Sequence, residues 1–277
     1  MKTNPLVSVI TPAYNVEHVL EETIKSVLNQ TYNNFEFIIL EDASPDNTWQ
    51  IIQKWAKKDK RIIPVKNETN LYIAENRNKG LLLAKGKYIV WQDADDISVS
   101  SRIEKQVEFM EQNPDVAICG GYLQSFNSTG LLDIRKYATT DTDLRKNIFK
   151  FSPVAQPAAI IRSSVFKIIG NYNPKYPPVE DLDMAFRIGQ HYKFANLPQV
   201  VIKYREHEGS STQNKHKIMI DNTLKIRKKY SKGYGYTMNF LDYLAYFATW
   251  CTKFINPTIT MKLFKFARNV ITLGVFK

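Results

Sequence analysis

Apolar positions along the first hundred residues switch between two periods. Residues 6–11 form a short apolar, β-branched run, and Leu20, Ile24, Val27 and Leu28 follow at helical spacing. A second run, 35–40, ends in a polar turn rich in capping residues at 41–47. Ile51, Ile52 and Trp55 mark the next helix, 62–65 a third strand, 73–83 a third helix and 88–91 a fourth strand. Such alternation predicts parallel strands joined by right-handed crossovers, an α/β sheet. Ligands of such sheets bind beyond the carboxyl ends of the strands. The polar clusters at 12–15, 41–46 and 92–96 all fall on that edge.

Past residue 100 the pattern is less regular. A helix is expected at 102–110 and strands at 116–126, 158–161 and 200–204. Pro177 and Pro178 precede an acidic start and then Leu182, Ala185, Phe186 and Ile188, the signature of a helix opening. From about residue 216 the character changes: 225–229 is basic, 240–255 is aromatic, and 261–275 mixes apolar residues with Lys and Arg. The expected division is a catalytic body at 1–215, split into halves at 1–100 and 101–215, and a helical tail at 216–277.

Charge sharpens that division. Residues 216–277 hold 11 Lys and Arg against two Asp, a balance of +9, which leaves +2 of the chain's +11 for the first 215 residues. A basic, aromatic tail on a nearly neutral body points to a polyanionic partner, membrane or nucleic acid. The 277 residues, 44% hydrophobic and 23% charged, suit a folded domain with an extension. Cys119 and Cys251 lack metal-ligand spacing and read as reduced thiols of a cytoplasmic protein. Neither a signal peptide nor a membrane-spanning stretch is visible. Neither GxGxxG after the first strand nor GxxxxGK[ST] occurs, so a bound diphosphate would need a metal ion and side-chain cations for neutralisation.

Three clusters carry candidate chemistry. Asp93 and Asp95, at i and i+2 after the fourth strand, can converge on one Mg²⁺ or Mn²⁺; the alternative is a cap cluster for the helix at 102. Glu180 and Asp181 open a helix, where carboxylates suit the positive helix end or can serve as a base toward a sugar hydroxyl. Arg205, Glu206 and His207 follow a strand, as a solvated loop or as a guanidinium and imidazole near a diphosphate. Arg77 and Asn78 can likewise reach a nucleotide from the third helix or face solvent.

Several ordered motifs together resemble family 2 glycosyltransferases over roughly residues 5–215. They are Val7-Ser8-Val9-Ile10-Thr11-Pro12-Ala13-Tyr14-Asn15, Ser26 to Tyr32, Glu41-Asp42-Ala43-Ser44, Asn70 to Gly80, Asp93-Ala94-Asp95-Asp96, Glu180-Asp181 with Arg187, and Tyr204-Arg205-Glu206-His207 with Ser210. The resemblance implies a GT-A fold, with a mixed Rossmann-like sheet and a C-terminal helical extension. It also implies a nucleotide-sugar donor, UDP-linked by default, and inversion at the anomeric carbon. By position, Pro12, Tyr14, Asn15 and Asp42 would line the donor pocket, and Arg77, Asp93 and Arg205 would contact the nucleotide. Asp95 would hold the divalent metal with Asp93 and His207, and Asp181 would be the base with Glu180 as second candidate. Glu41 replaces a more usual Asp, and Tyr72 stands where Gly is common.

The acceptor expected on this basis is a glycan or lipid-linked saccharide of cell-surface polysaccharide or lipooligosaccharide synthesis. The tail would lie on an anionic bilayer at the cytoplasmic face, unless it packs on the catalytic body. A sugar-phosphate nucleotidyltransferase is the rival enzyme, disfavoured by the missing glycine-rich loop. A nucleic-acid-binding protein using the tail is the rival of another class. The tail has no recognised nucleic-acid motif and the acidic edge would repel phosphates, so no nucleic-acid partner is expected.

Overall fold

The computed structural model describes residues 4–206, 216–256, 259–260, 263–264 and 266–267. Its first half alternates strictly: β1 (Val7–Ala13), α1 (Leu20–Leu28), β2 (Phe35–Glu41), α2 (Thr48–Ala56), β3 (Ile62–Lys66), α3 (Tyr72–Leu83) and β4 (Tyr88–Trp91). Next come β5 (Ile97–Ser98), α4 (Arg102–Gln112), β6 (Val116–Asn127), β7 (Gly130–Arg135), α5 (Asp141–Lys146), β8 (Ile160–Arg162), α6 (Phe166–Ile169), α7 (Glu180–Gly189) and β9 (Lys193–Arg205). The described tail holds α8 (His216–Tyr230), the short hairpin β10 (Lys232–Gly233) and β11 (Tyr236–Thr237), and α9 (Phe240–Cys251).

One nine-stranded sheet runs in the order β3-β2-β1-β4-β8-β6-β9-β5, with β7 beside β6. The β3-β2-β1-β4 half is parallel, as the crossovers demand. β8 then enters antiparallel to both β4 and β6, so the sheet is mixed. The chain order reverses at β1, which lies between β2 and β4, and in such sheets ligands bind beyond the strand ends at that point. Central strands are buried on both faces, so alternate residues feed two cores. Phe37 and Ile39 point into one, and Ile38 and Leu40 into the other.

The irregular middle differs from its sequence pattern. The expected strand at 158–161 begins two residues later, because Gln156–Ala158, with Pro157 inside it, forms a 3-10 turn. The expected strand at 200–204 is the end of the longer β9, which pairs along β6. α8 packs on α7: the Tyr230 ring stacks on Phe186 at 4.6 Å between centroids. Ile226, Tyr230 and Met238 share a core with sheet residues such as Ile118 and Ile161. Among the described residues no helix is long and apolar enough to cross a membrane.

Candidate active site

Residues 93–96 leave β4 in a tight turn, closed by the Asp96 amide donating to the Asp93 carbonyl at 3.2 Å. Burial alternates through it. Asp93 and Asp95 are half-buried, while Ala94 and Asp96 are buried. The turn does not cap α4, whose first turn follows Ser101. It is braced from behind. The Thr23 hydroxyl on α1 lies 2.8 Å from the Ala94 carbonyl and 2.9 Å from that of Asp96, and Gln92 Nε2 donates to the Asp93 and Asp96 carbonyls at 3.0 Å each. Beneath these, buried Arg102 donates to the Trp91 carbonyl (2.9 Å), Ser98 Oγ (3.0 Å) and Gln92 Oε1 (3.2 Å). Desolvation lowers its guanidinium to about 9, opposed by the Asp96 and Asp93 charges.

Arg205 braces the turn from the front. Its amide donates to Asp96 Oδ1 (2.9 Å), its Nε to the Asp95 carbonyl (2.8 Å) and its Nη2 to Glu22 Oε2 of α1 (2.6 Å), and the guanidinium lies 4.6 Å from the Phe126 ring centre. The group expected to grip phosphate is thus tied to the turn and to α1. His207 and Ser210 lie outside the described residues.

Arg77 joins this turn to α7. Buried on α3, it donates from Nη1 to Glu180 Oε1 at 2.5 Å, its Nη2 lies 3.7 Å from Asp93 Oδ1, and its guanidinium sits 5.5 Å from the Trp91 ring centre and 5.6 Å from that of Tyr172. Burial alone would weaken its hold on the proton, but the Glu180 and Asp93 charges outweigh that and its pKa rises. The guanidinium expected at the nucleotide is a buried hub. Trp91 and Tyr172, in edge-to-face contact at 5.4 Å, wall it in. Tyr172 sits in an irregular loop with no sequence signal. Asn78, next to Arg77, exchanges bonds with the Tyr172 backbone at 2.9 Å each way and so fastens that loop to α3.

Asp181 follows Glu180 in the first turn of α7 and accepts from the Leu182 amide at 2.9 Å. Desolvation, reinforced by Glu180 and opposed by Arg77, pushes its carboxyl up to about 6. Desolvation likewise raises Asp93 to about 6, opposed by Arg77 and reinforced by Asp95 and Glu180. Adjacent half-buried carboxylates that repel each other suit a hard divalent cation, which reverses this pKa logic and fills its shell with water and phosphate oxygens. Among the described residues no three acidic, histidine or cysteine side chains form a ready metal cage.

The edge expected to take the donor lies at the ends of β1 and β2. Tyr14 is exposed, and Asn15, in left-handed backbone (φ 55°), donates from its amide to the Ser44 hydroxyl oxygen at 3.1 Å. Pro12, half-buried near the end of β1, pairs in register with Leu40. Buried Asp42 accepts from the Leu71 amide (2.9 Å), the Tyr72 amide (3.1 Å) and Asn67 Nδ2 (2.8 Å), so it holds the start of α3. Glu41 accepts the Ser44 amide at 2.5 Å. An open cleft of about 690 Å³ adjoins them, lined by Ala43, Ser44, Lys66, Asn67 and Glu68.

With this geometry in hand, likeness to known proteins is informative. The sequence profile described as Glycosyl transferase family 2 matches residues 8–169. An uncharacterized glycosyltransferase of Methanocaldococcus jannaschii is 33% identical over 269 residues, covering 94% of this chain and 92% of the relative. The UDP-Glc:alpha-D-GlcNAc-diphosphoundecaprenol beta-1,3-glucosyltransferase WfaP of Escherichia coli is 34% identical over 220 residues, 78% of this chain and 83% of its own. Among solved structures, S. aureus TarS 1-349 with UDP-GlcNAc superposes with a TM-score of 0.65 at 20% identity, over 82% of this chain and 67% of that one. The mannosyltransferase PcManGT of Pyrobaculum calidifontis, in complex with GDP-Man and Mn²⁺, gives 0.65 at 16% identity, over 100% of this chain and 77% of that one. These structural likenesses establish a GT-A type fold.

Proposed function

The chain belongs to glycosyl transferase family 2 and is a glycosyltransferase, and on that premise we propose that it moves a sugar from a UDP-sugar to a saccharide hydroxyl with inversion. The observation that carries this is the Arg77 bridge. One buried guanidinium touches Glu180, beside Asp181, at 2.5 Å and approaches Asp93 of the acidic turn at 3.7 Å. Carboxylates from separate stretches of the chain therefore meet around one guanidinium. UDP is favoured by the name of the E. coli relative, which also favours a lipid-linked acceptor; the structural neighbours are seen in complex with UDP-GlcNAc and with GDP-Man. The setting is cell-surface glycan assembly at the cytoplasmic face of the membrane, with the tail in peripheral contact. Residues 1–100 serve the donor and 101–215 the acceptor.

Asp95 and Asp93, with His207, would hold a divalent cation that supplies Lewis-acid stabilisation of the departing diphosphate. Tyr14, Asn15 and Pro12 flank the base and ribose at the ends of β1 and β2. Asp181 takes the proton of the acceptor hydroxyl as its oxygen bonds the anomeric carbon, while the bond from that carbon to the diphosphate oxygen breaks on the opposite face. One displacement inverts configuration. Glu180, paired with Arg77, adds to the desolvation that raises Asp181 and makes it a stronger base. Arg205 and Arg102 hold the acidic turn fixed, so alignment of the reacting groups is set before they meet.

A panel of nucleotide sugars, each with and without Mn²⁺, tests this by thermal shift and donor hydrolysis. One UDP-sugar should raise the melting temperature only with Mn²⁺, and Asp95→Ala should abolish that shift. Stabilisation by no nucleotide sugar, or equal stabilisation of the Ala variant, rejects the assignment.

A further inference from the structure

Helix α9 is built inside out. Asp242 and Thr249 are buried, and Thr252 just beyond the helix is buried too. Asp242 lies 3.6 Å from Lys150 Nζ and closes a capping box with Asn239, and the Thr249 hydroxyl accepts from Arg227 at 2.9 Å. The outward face carries Phe240, Leu241, Tyr243, Leu244, Phe247 and Trp250. Phe240 is 75% exposed, Phe247 59%, and Phe254 one turn on 76%. A surface helix of a globular protein does the reverse, apolar side in. The rings lie against one another, Phe247 to Trp250 at 5.7 Å and Trp250 to Phe254 at 5.3 Å between centroids, as one apolar strip. Ile259, Leu263 and Phe266, at helical spacing, are exposed as well.

Charge and length decide what covers the strip. The two tail acids are engaged, Asp242 inside the fold and Asp221 with Lys253, whereas Lys225, Lys228 and Lys232 are exposed. A two-fold dimer through this face would set one tail of +9 against its copy, since such an interface joins identical patches. An anionic surface attracts the same charge. Twelve residues of helix span about 18 Å, short of the ~30 Å hydrocarbon layer, so α9 suits the plane of an interface. Trp and Tyr beside Phe and Leu are the side chains that settle there.

We infer that the outward face of α9 is a docking surface for an anionic lipid bilayer, with its aromatic rings at the acyl boundary and the exposed lysines of α8 and the β10–β11 hairpin on lipid phosphates. This gives the peripheral contact proposed above a surface and a chemistry, and rests on that proposal only for which membrane is met. Flotation of the full chain tests it, with phosphatidylcholine vesicles and with vesicles that also contain phosphatidylglycerol. The native chain should float with the anionic vesicles. The pair Phe247→Ser and Trp250→Ser should cut the partition coefficient at least tenfold, since burying one aromatic side chain accounts for roughly a tenfold gain. The pair Lys228→Gln and Lys232→Gln should weaken binding and flatten its salt dependence. All three proteins should show the same UDP-sugar thermal shift in lipid-free buffer.

Equal flotation of the aromatic pair and the native chain overturns the inference. A lipid-free dimer in sedimentation that the aromatic pair converts to monomer also overturns it, assigning the face to a second copy. A native chain that floats but responds to no nucleotide sugar leaves this surface standing and removes the donor assignment instead.

Discussion

At the residue scale, proton affinity and backbone strain make the sharpest predictions. Asp181 must be ionised to accept a proton, and its pKa lies near 6 instead of 3.8. At saturating Mn²⁺, where the cation holds Asp93 deprotonated, kcat/KM should be flat above pH ~6 and fall about tenfold per unit below it. Asp181→Asn should bind donor normally and lose at least ~10²-fold in turnover. A profile without that limb, or normal turnover by the variant, removes Asp181 as the base. The shift has a sign for stability as well. A carboxyl whose folded pKa is raised binds its proton more tightly in the native state, so ionisation costs the fold stability as pH rises past ~4. The Asn variant should therefore melt higher at neutral pH.

Tyr72 makes a second residue-scale case. It is held at φ 61°, a conformation that suits Gly, and its ring is 67% exposed beside the Asp42 pocket. Strain of this kind persists where function retains it. Tyr72→Gly should stabilise the fold by about 1 kcal/mol and raise the donor KM severalfold; unchanged KM would mean the ring plays no part in donor binding. The acidic pairs and Tyr72 were legible in the sequence because motif position marks them. The partners of Arg77, Asp42 and Arg205 were not. Which polar group satisfies a buried cation or a helix start depends on loops, such as that of Tyr172, which carry no periodicity.

At the element scale, α3 determines whether the site can form. Its buried residues are Ala74, Asn76, Arg77 and Gly80, small or polar, so its hydrophobic pattern is faint although the helix is firm. It lies close on the sheet: a β-carbon at Gly80 would stand 2.6 Å from Ile10 Cγ2 and 3.1 Å from Leu40 Cδ1. Arg77, three residues earlier on the same face, reaches Trp91 and Glu180 because of that approach. Gly80→Val should cost about 2 kcal/mol by overpacking and, by lifting the helix, reduce turnover beyond the loss of folded protein. Full specific activity in the folded fraction would show that the spacing is not needed. The strictly alternating elements up to β4 follow from period and length alone. β7 and α5 were not foreseen, and although a strand at 158–161 and a mixed sheet were expected, the place of β8 between β4 and β6 was not, since strand order and direction come from long-range pairing.

At the scale of the whole molecule, the basic tail is two things, and the sequence blurred them into one. Its first part completes the fold. Ile226, Tyr230 and Met238 are buried with the sheet, Asn222 donates to the Pro177 carbonyl at 2.7 Å, and Arg227 donates to the Lys150 carbonyl at 2.7 Å. Its second part, α9, presents apolar surface outward. A shared lysine-rich composition conceals that difference, because Lys225, Lys228 and Lys229 sit on α8 among residues that are core. A chain ending at 215 would lose these three large apolar side chains, whose burial is worth about 2 kcal/mol each, a large part of the 5–15 kcal/mol that holds a domain together, and would uncover Phe186 beneath Tyr230. It should unfold or aggregate, whereas a chain ending at 239 keeps those contacts, loses only those of α9, and should melt cooperatively a few degrees lower. Comparing the two by calorimetry locates the boundary between catalytic body and docking element. Cooperative folding of the 215-residue chain with intact UDP-sugar binding would instead place α8 outside the catalytic unit.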